Sequence, residues 1–93
     1  MIVGTLVADV FIPGATSLKD KRRVVKSIVK RIQNRFNVSI VELENENLWQ
    51  KAIIGIAIIG EEKEKIERQL QFVVNFMDAD PRWEVIRVEM EWR

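Results

Sequence analysis

The alternation of apolar and polar positions along the chain predicts four strands. Residues 1–12 alternate, and every even position in this segment is apolar or small, which is typical of a strand with one covered face. Residues 38–44 are rich in β-branched side chains of mixed polarity and residues 82–93 alternate, so each of them predicts a further strand. Residues 51–60 are almost continuously apolar, which predicts a strand buried on both faces in the centre of a sheet. Trp49, just before this run, is expected to pack as a lid on the core, and the alternative is an exposed contact.

Two segments with helical spacing lie between these strands. In residues 17–36 the apolar side chains recur at intervals of three, four and seven, so they share one face of a helix. Ser17 is the predicted N-cap, and Asp20 three residues later completes a capping box with Asp in place of the usual Glu. Residues 61–78 predict the second helix, with Phe72 outside its inward stripe and therefore partly exposed. The inward stripe is expected to consist of Ile66, Leu70, Val73, Val74 and Met77.

The order of these elements is strand, helix, strand, strand, helix, strand. Two right-handed crossovers of this length produce a four-stranded antiparallel sheet with both helices on one face, which is an α+β ferredoxin-like βαββαβ plait. The first and third strands are expected in its centre because they are the most apolar, and residues 45–47 are expected to form a turn. Residues 1–93 contain neither a linker nor a repeat, so we expect a single domain. One face of the last strand is expected to contain Ile86, Val88, Met90 and Trp92.

The composition removes several kinds of chemistry. The 93 residues include no cysteine, histidine or tyrosine, so disulfides, thiolate metal sites and the commonest general base are excluded. Acylphosphatases share this topology, but the loop after the first strand lacks their phosphate-gripping arginine, since the first arginine is Arg22. Asp9 and Glu89 are expected to share the open face with Arg87 in a cross-strand ion pair, not as a pair of catalytic carboxylates. We therefore expect a protein that is not an enzyme and has no cofactor or metal.

No part of the sequence predicts insertion into a membrane or export. The longest apolar runs fall short of the roughly 20 residues needed to span a bilayer. The first residues are apolar without a preceding basic region, which does not match a signal peptide. We therefore expect a cytoplasmic protein that makes no membrane contact.

Positive charge is concentrated in residues 17–36. This segment holds eight of the 15 lysines and arginines and one acid, so it carries +7 in a chain of net charge +1, and the remainder carries −6. At about 100° per residue, four of these cations form a stripe about 120° from the apolar face, while Lys21 and Arg22 flank that face. The predicted nucleic-acid-binding residues are Lys19, Lys21, Arg22, Arg23, Lys26 and Lys30.

Two interpretations of this basic helix remain open from these residues. The helix can contact phosphates along about 16 Å of its length, with little sequence specificity because phosphate contacts carry no base information. Alternatively, it is a solvated face that balances the acidic second helix or pairs with glutamates across a contact, or it docks on an acidic protein surface. The local excess of charge favours a binding surface over a merely solvated one.

Two segments of the chain also resemble a known family. Residues 17–24, SLKDKRRV, and residues 34–39, NRFNVS, are similar to the YlxP-like proteins, a bacterial family of unknown function. The resemblance continues through residues 48–59 and covers essentially the whole chain. It implies a ferredoxin-like fold without an established activity, and it carries over no functional residues. In some bacteria the gene of this family lies among genes for translation initiation and ribosome maturation factors, which implies ribosomal RNA or a ribosomal particle as the partner.

The face of the sheet opposite the helices is the second candidate surface. Monomers seldom expose an apolar patch without a use, so a homodimer or another protein is expected to cover it. The alternative is that Thr5, Asp9 and the charges of the last strand make the patch too small. Base stacking is not expected here, because Phe11 is the only aromatic residue at a suitable position in the two central strands. The patch is expected to contain Val3, Val7, Phe11, Ile53, Ala57 and Ile59.

Overall fold

The computed structural model describes residues 1–43 and 48–93, and the turn predicted at residues 45–47 lies outside this part of the chain. The described residues form six elements: β1 (Ile2–Phe11), α1 (Leu18–Arg35), β2 (Ser39–Leu43), β3 (Lys51–Gly60), α2 (Lys63–Asp78) and β4 (Glu84–Trp92). The strands form one antiparallel sheet in the order β2-β3-β1-β4, with β1 and β3 in the centre. The ferredoxin-like plait predicted from the sequence is confirmed. Neither of the two helices in the described ranges is long and apolar enough to cross a membrane.

The hydrophobic core lies between the helices and one face of the sheet. The even-numbered side chains of β1 and β3 point into it, and each helix adds side chains at intervals of three or four residues. At the edge of the core, the buried Trp83 donates a hydrogen bond from Nε1 to the carbonyl oxygen of Met77 over 2.9 Å. The buried apolar side chains of the helices are Val25, Ile28 and Ile32 in α1 and Ile66, Leu70, Val73 and Met77 in α2.

The prediction that β3 is buried on both faces is wrong for one of them. Its even positions from Ala52 to Ile58 are buried, but its odd positions from Ile53 to Ala57 are half-buried and Ile59 is 66% exposed. The helices pack on the even-numbered side, and no described residue covers the odd-numbered side. An apolar run alone does not distinguish a covered face from an open one, because both have the same composition.

The alternation predicted for β4 is interrupted by a β-bulge. The register passes from Asp9 opposite Arg87 to Val10 opposite Val85, so Ile86 is an extra residue without a partner in β1. Side chains before and after a bulge differ in parity, so Val85 packs against the core while Ile86 is exposed. The expected apolar face of β4 is wrong at Ile86 and is confirmed for the other three positions: Val88, Met90 and Trp92.

α1 begins after the predicted N-cap. Ser17 Oγ accepts a hydrogen bond from the backbone N–H of Asp20 over 3.1 Å, as in a capping box. The Asp20 carboxylate accepts from the backbone N–H and the hydroxyl of Thr16 at 3.1 and 2.6 Å, one residue before the position that a capping box uses. The hydrogen bonds from Thr16, with a smaller contribution from the charge of Arg23, hold the pKa of Asp20 below its ordinary value.

Candidate nucleic-acid interface

The outer face of α1 carries a row of exposed cations. Four of them follow one another at intervals of four, three and four residues, and a fifth lies beside the row. In residues 1–43 and 48–93, none of the five forms an ion pair with a carboxylate. These five residues, called the basic surface below, are Lys19, Arg22, Arg23, Lys26 and Lys30.

The opposite side of α1 holds the basic surface in place. Val25, Ile28 and Ile32 are fully buried against the sheet, so the helix backbone cannot rotate without exposing them. From Lys19 to Lys30 the helix rises by about 16 Å. Neighbouring cations three or four residues apart have Cβ atoms about 5–6 Å from each other, which is similar to the separation of successive phosphates on one nucleic-acid strand. The arrangement can therefore contact several phosphates of one strand together.

Lys21 lies on the core side of α1 and not on the basic surface. Only 5% of this residue is exposed, and its Nζ donates a hydrogen bond to the carbonyl oxygen of Leu48 over 2.8 Å. The same Nζ lies 3.9 Å from Oε2 of Glu42 in β2. A phosphate could reach this ammonium only by displacing partners from a buried position, which is costly. We therefore leave Lys21 out of the interface that the sequence predicted.

The spacing of the apolar residues already indicated this position. Lys21 precedes Val25 by four residues, so it lies on the stripe that continues through Ile28 and Ile32. A lysine can occupy such a position because its long aliphatic stem packs against apolar neighbours while the ammonium reaches polar atoms at the edge. Lys21 was nevertheless included among the predicted nucleic-acid-binding residues because lysine and arginine are concentrated in this helix.

The last two cations of α1 contact other parts of the protein. Arg31 Nη1 lies 3.0 Å from Oδ2 of the buried Asp80. The guanidinium groups of Arg31 and Arg35 lie 5.3 and 5.2 Å from the ring centroid of Phe76, which is the geometry of a cation–π contact. Phe36 makes an edge-to-face contact with the same ring. These two arginines therefore join α1 to α2 and to the residues that follow α2.

The acidic residues of α2 do not neutralise the basic surface by direct contact in the described part of the chain. Glu62, at the N-cap of α2, lies 3.4 Å from the Nζ of Lys65 in the same helix. Every other ion pair found among the described residues also joins groups outside the basic surface. No ion pair therefore joins the basic surface to α2 in residues 1–43 and 48–93.

On the other side of the sheet, the ion pair of Arg87 lies within one strand and not across two strands as predicted. Arg87 pairs with Glu89 in β4, while Asp9 in β1 is its Cα partner. Trp49, which was expected to cover the core, is 53% exposed, so that prediction is wrong. Together with Phe11 it lines an open depression of about 320 Å³ beside β3.

The fold and this surface define a ferredoxin-like domain with an exposed cationic helix face. Residues 3–90 match the family described as "Protein of unknown function (DUF503)", and the chain belongs to this family. It is 38% identical over 91 residues to "Uncharacterized protein YlxP" of Bacillus subtilis (strain 168), and the match covers 98% of this chain and 99% of that protein. The resemblance to YlxP-like proteins seen in the sequence is confirmed.

A solved structure adds a likeness of fold alone. The chain resembles "De novo designed protein Foldit4" with a TM-score of 0.55 and 17% sequence identity, over 100% of this chain and 97% of the designed one. At this identity the likeness concerns the arrangement of helices and strands and carries no information on function.

Proposed function

We propose that this protein is a non-catalytic accessory factor that binds the phosphate backbone of RNA through its basic surface. One observation supports this most strongly. The other cations of α1 are used within the protein, whereas the five of the basic surface are exposed and have no ion-pair partner among the described residues. Such cations release counterions when they contact phosphates, which is the main source of affinity in backbone-led binding.

The strength of the binding should depend steeply on salt. Each phosphate contact contributes about 0.7 to the slope of log affinity against log salt for a single strand, and about 0.9 for a duplex. If all five side chains of the basic surface make contacts, the slope is about −3.5 to −4.5. Lys and Arg on phosphates carry no base information, so we expect affinity for many RNA sequences of similar shape.

The open face of the sheet offers little for reading bases. The first and third strands of RNA-recognition motifs present aromatic side chains on which bases stack. On the open face of β1 and β3 this chain has Phe11 as the only aromatic side chain. Ribosomal RNA, whose folded shape presents dense phosphate, is therefore a better candidate than a short sequence motif, in agreement with the gene neighbourhood implied by the family resemblance.

The test compares two double charge reversals of equal size. Lys26→Glu with Lys30→Glu alters the basic surface, and Lys65→Glu with Arg68→Glu makes the same change of net charge on exposed positions of α2. Fluorescence anisotropy with a ribosomal RNA fragment, from about 50 to about 200 mM salt, measures affinity and slope. We expect the α1 variant to lose at least about tenfold in affinity and about 1.4 to 1.8 in slope, and the α2 variant to change by less than about threefold.

Two outcomes contradict the proposal. One is the absence of binding by the unmodified protein even near about 50 mM salt, and the other is an equal loss in both variants. If RNA binding is found, co-sedimentation with ribosomal subunits tests whether a ribosomal particle is the natural binding partner. Binding that survives digestion of the RNA but is lost in the α1 variant would indicate an acidic protein as the partner of the basic surface.

A further inference from the structure

The odd-numbered side of the sheet concentrates exposed apolar side chains. Of the nine large apolar side chains exposed in the described residues, five lie on this open face. Four come from β1, β2 and β3, and three of these lie in adjoining rows: Val41 and Val7 on either side of Gly55, and Leu43 opposite Ile53. The five exposed side chains are Val7, Val41, Leu43, Ile59 and Ile86.

Most charges of the open face lie on one side of this apolar area. β4 and the residue after it contribute four of them, and they pair with each other as Arg87 with Glu89 and Arg93 with Glu91. The central strands add Asp9, whose Cα partner in β4 is Arg87, and Lys51, whose Cα partner in β1 is Phe11. The apolar part of the face therefore extends across β2, β3 beyond Lys51 and most of β1, and its charged border is nearly neutral.

We propose that a second copy of this chain covers the open face, with two sheets packed against each other about a two-fold axis near β3. In such a contact a surface must fit a copy of itself, and small residues near the axis allow the two copies to approach closely. Gly55 and Ala57 provide the small centre of β3, and Val41 and Val7 flank Gly55. This placement sets β2 of one copy over β1 of the other and leaves β4 at the solvated rim.

The area of the face agrees with a weak dimer. β1 and β3 have ten residues each and β2 has five, so with strands about 4.8 Å apart and about 3.4 Å per residue the patch measures about 400 Å² in flat projection. The relief of the side chains raises the accessible area to about 550 Å² per copy, or about 1,100 Å² in total, which is in the range of weak complexes. We therefore expect a dissociation constant in the micromolar range, and the nearly neutral border means that the two copies do not repel each other.

The dimer leaves the basic surface accessible. α1 packs on the even-numbered side of the sheet, so face-to-face packing of the open sides puts the two α1 helices on opposite outer surfaces. Two basic surfaces in one particle allow bivalent attachment to a large RNA. The self-association itself does not depend on RNA binding, so the two proposals can fail separately.

The test is sedimentation velocity from about 5 to about 500 µM, a range that brackets a weak complex. Val41→Glu and Ile59→Glu each place a carboxylate on the open face at an exposed position, where the fold tolerates it. Phe72→Glu is the matched control, because Phe72 is equally exposed but belongs to α2 in the other layer. We expect each sheet variant to weaken dimerisation at least about tenfold and the control to stay within about twofold.

A monomer across this whole range would overturn the proposal, as would a dimer that is lost in Phe72→Glu but kept in both sheet variants. A second measurement locates the contact directly. Amide chemical shifts of the unmodified protein should change with concentration at β2 and β3, and those of α1 should stay constant. Changes confined to the helices would contradict packing through the sheet.

Discussion

Asp80 and Arg31, which are 49 positions apart in the chain, are joined by a 3.0 Å contact between Oδ2 and Nη1. The Asp80 side chain is only 3% exposed, and it also accepts hydrogen bonds from the backbone N–H, Nε and Nη2 of Arg82. Arg82 in turn donates from Nη1 to the hydroxyl of Ser27 over 2.9 Å. The residues after α2 are thereby fastened to the middle of α1, which helps to fix the helix that carries the basic surface.

Replacing Asp80 by asparagine should destabilise the fold. An asparagine at this position would keep the size of the side chain but would lose the charge and at least one accepting oxygen, leaving two arginines with weaker partners. We expect the variant Asp80→Asn to lower the free energy of unfolding at neutral pH by about 2 kcal/mol, measured by urea denaturation. The neighbouring Asp78→Asn is the control, since Asp78 is exposed, and it should change stability by less than about 0.5 kcal/mol.

The effect of Asp80 should also disappear in acid. The hydrogen bonds from Arg82, together with the charges of Arg82 and Arg31, hold the pKa of Asp80 below its ordinary value of 3.8 in spite of burial. A carboxyl group with a lowered pKa in the folded state stabilises the protein above the unfolded pKa, and this contribution is lost as pH falls through the folded pKa. The difference in stability between the unmodified protein and Asp80→Asn should therefore be constant above about pH 5 and shrink below about pH 4. A difference that persists unchanged to about pH 2 would show that the carboxylate charge is not its origin.

Replacement by methionine should lower stability at Lys21 and should lower RNA affinity at Lys26. Lys21→Met keeps the aliphatic stem but removes the donor to the Leu48 carbonyl oxygen, so we expect a loss of about 1–2 kcal/mol in stability and little change in RNA affinity. Lys26→Met, at an exposed position of the basic surface, should leave stability within about 0.5 kcal/mol and reduce the salt slope by about 0.7–0.9. Urea denaturation and anisotropy titrations on both variants measure the two effects. A marked loss of RNA affinity in Lys21→Met without destabilisation would restore Lys21 to the interface.

The fold was predictable because its signals are periodic and local. The even positions of β1, the spacing of Val25 with Ile28, and the cap at Ser17 all depend on neighbours within one or two turns or on simple alternation. The errors concern relations between distant segments. The bulge at Ile86 depends on how β4 pairs with β1, although the sequence marks it by a change of alternation, since apolar residues lie at odd positions up to Val85 and at even positions from Ile86.

The candidate site was predictable in part for the same reason. The exposed row of cations follows from helical spacing, but the separate use of Lys21 and Arg31 depends on residues far along the chain. Asp80 directly precedes Pro81, and this dipeptide predicts only the end of a helix. The contact of Asp80 with α1 could not be inferred from that position. Sequence therefore identified the charged helix, and tertiary contacts decided which of its cations remain available.

Gly4 is a position in β1 where a methyl group has no room. A Cβ built there would lie 2.5 Å from Cγ2 of Ile66 and 2.8 Å from Cζ3 of Trp92, both well inside van der Waals contact. Because α2 packs closely on β1 at this point, Gly4→Ala must displace Ile66 or the indole of Trp92. We expect a loss of about 2 kcal/mol in the free energy of unfolding, measured by urea denaturation with an unchanged dependence on denaturant.

Gly14→Ala is the matched control for this substitution. In the turn after β1, a Cβ at Gly14 would meet nothing within 4 Å. The added methyl group restricts the unfolded chain without a clash in the folded one, so stability should stay unchanged or rise by up to about 1 kcal/mol. Comparison of Gly4→Ala with Gly14→Ala separates the effect of a steric clash on stability from the general effect of replacing glycine. If both variants unfolded at the same urea concentration as the unmodified protein, close packing of α2 on β1 at Gly4 would be refuted.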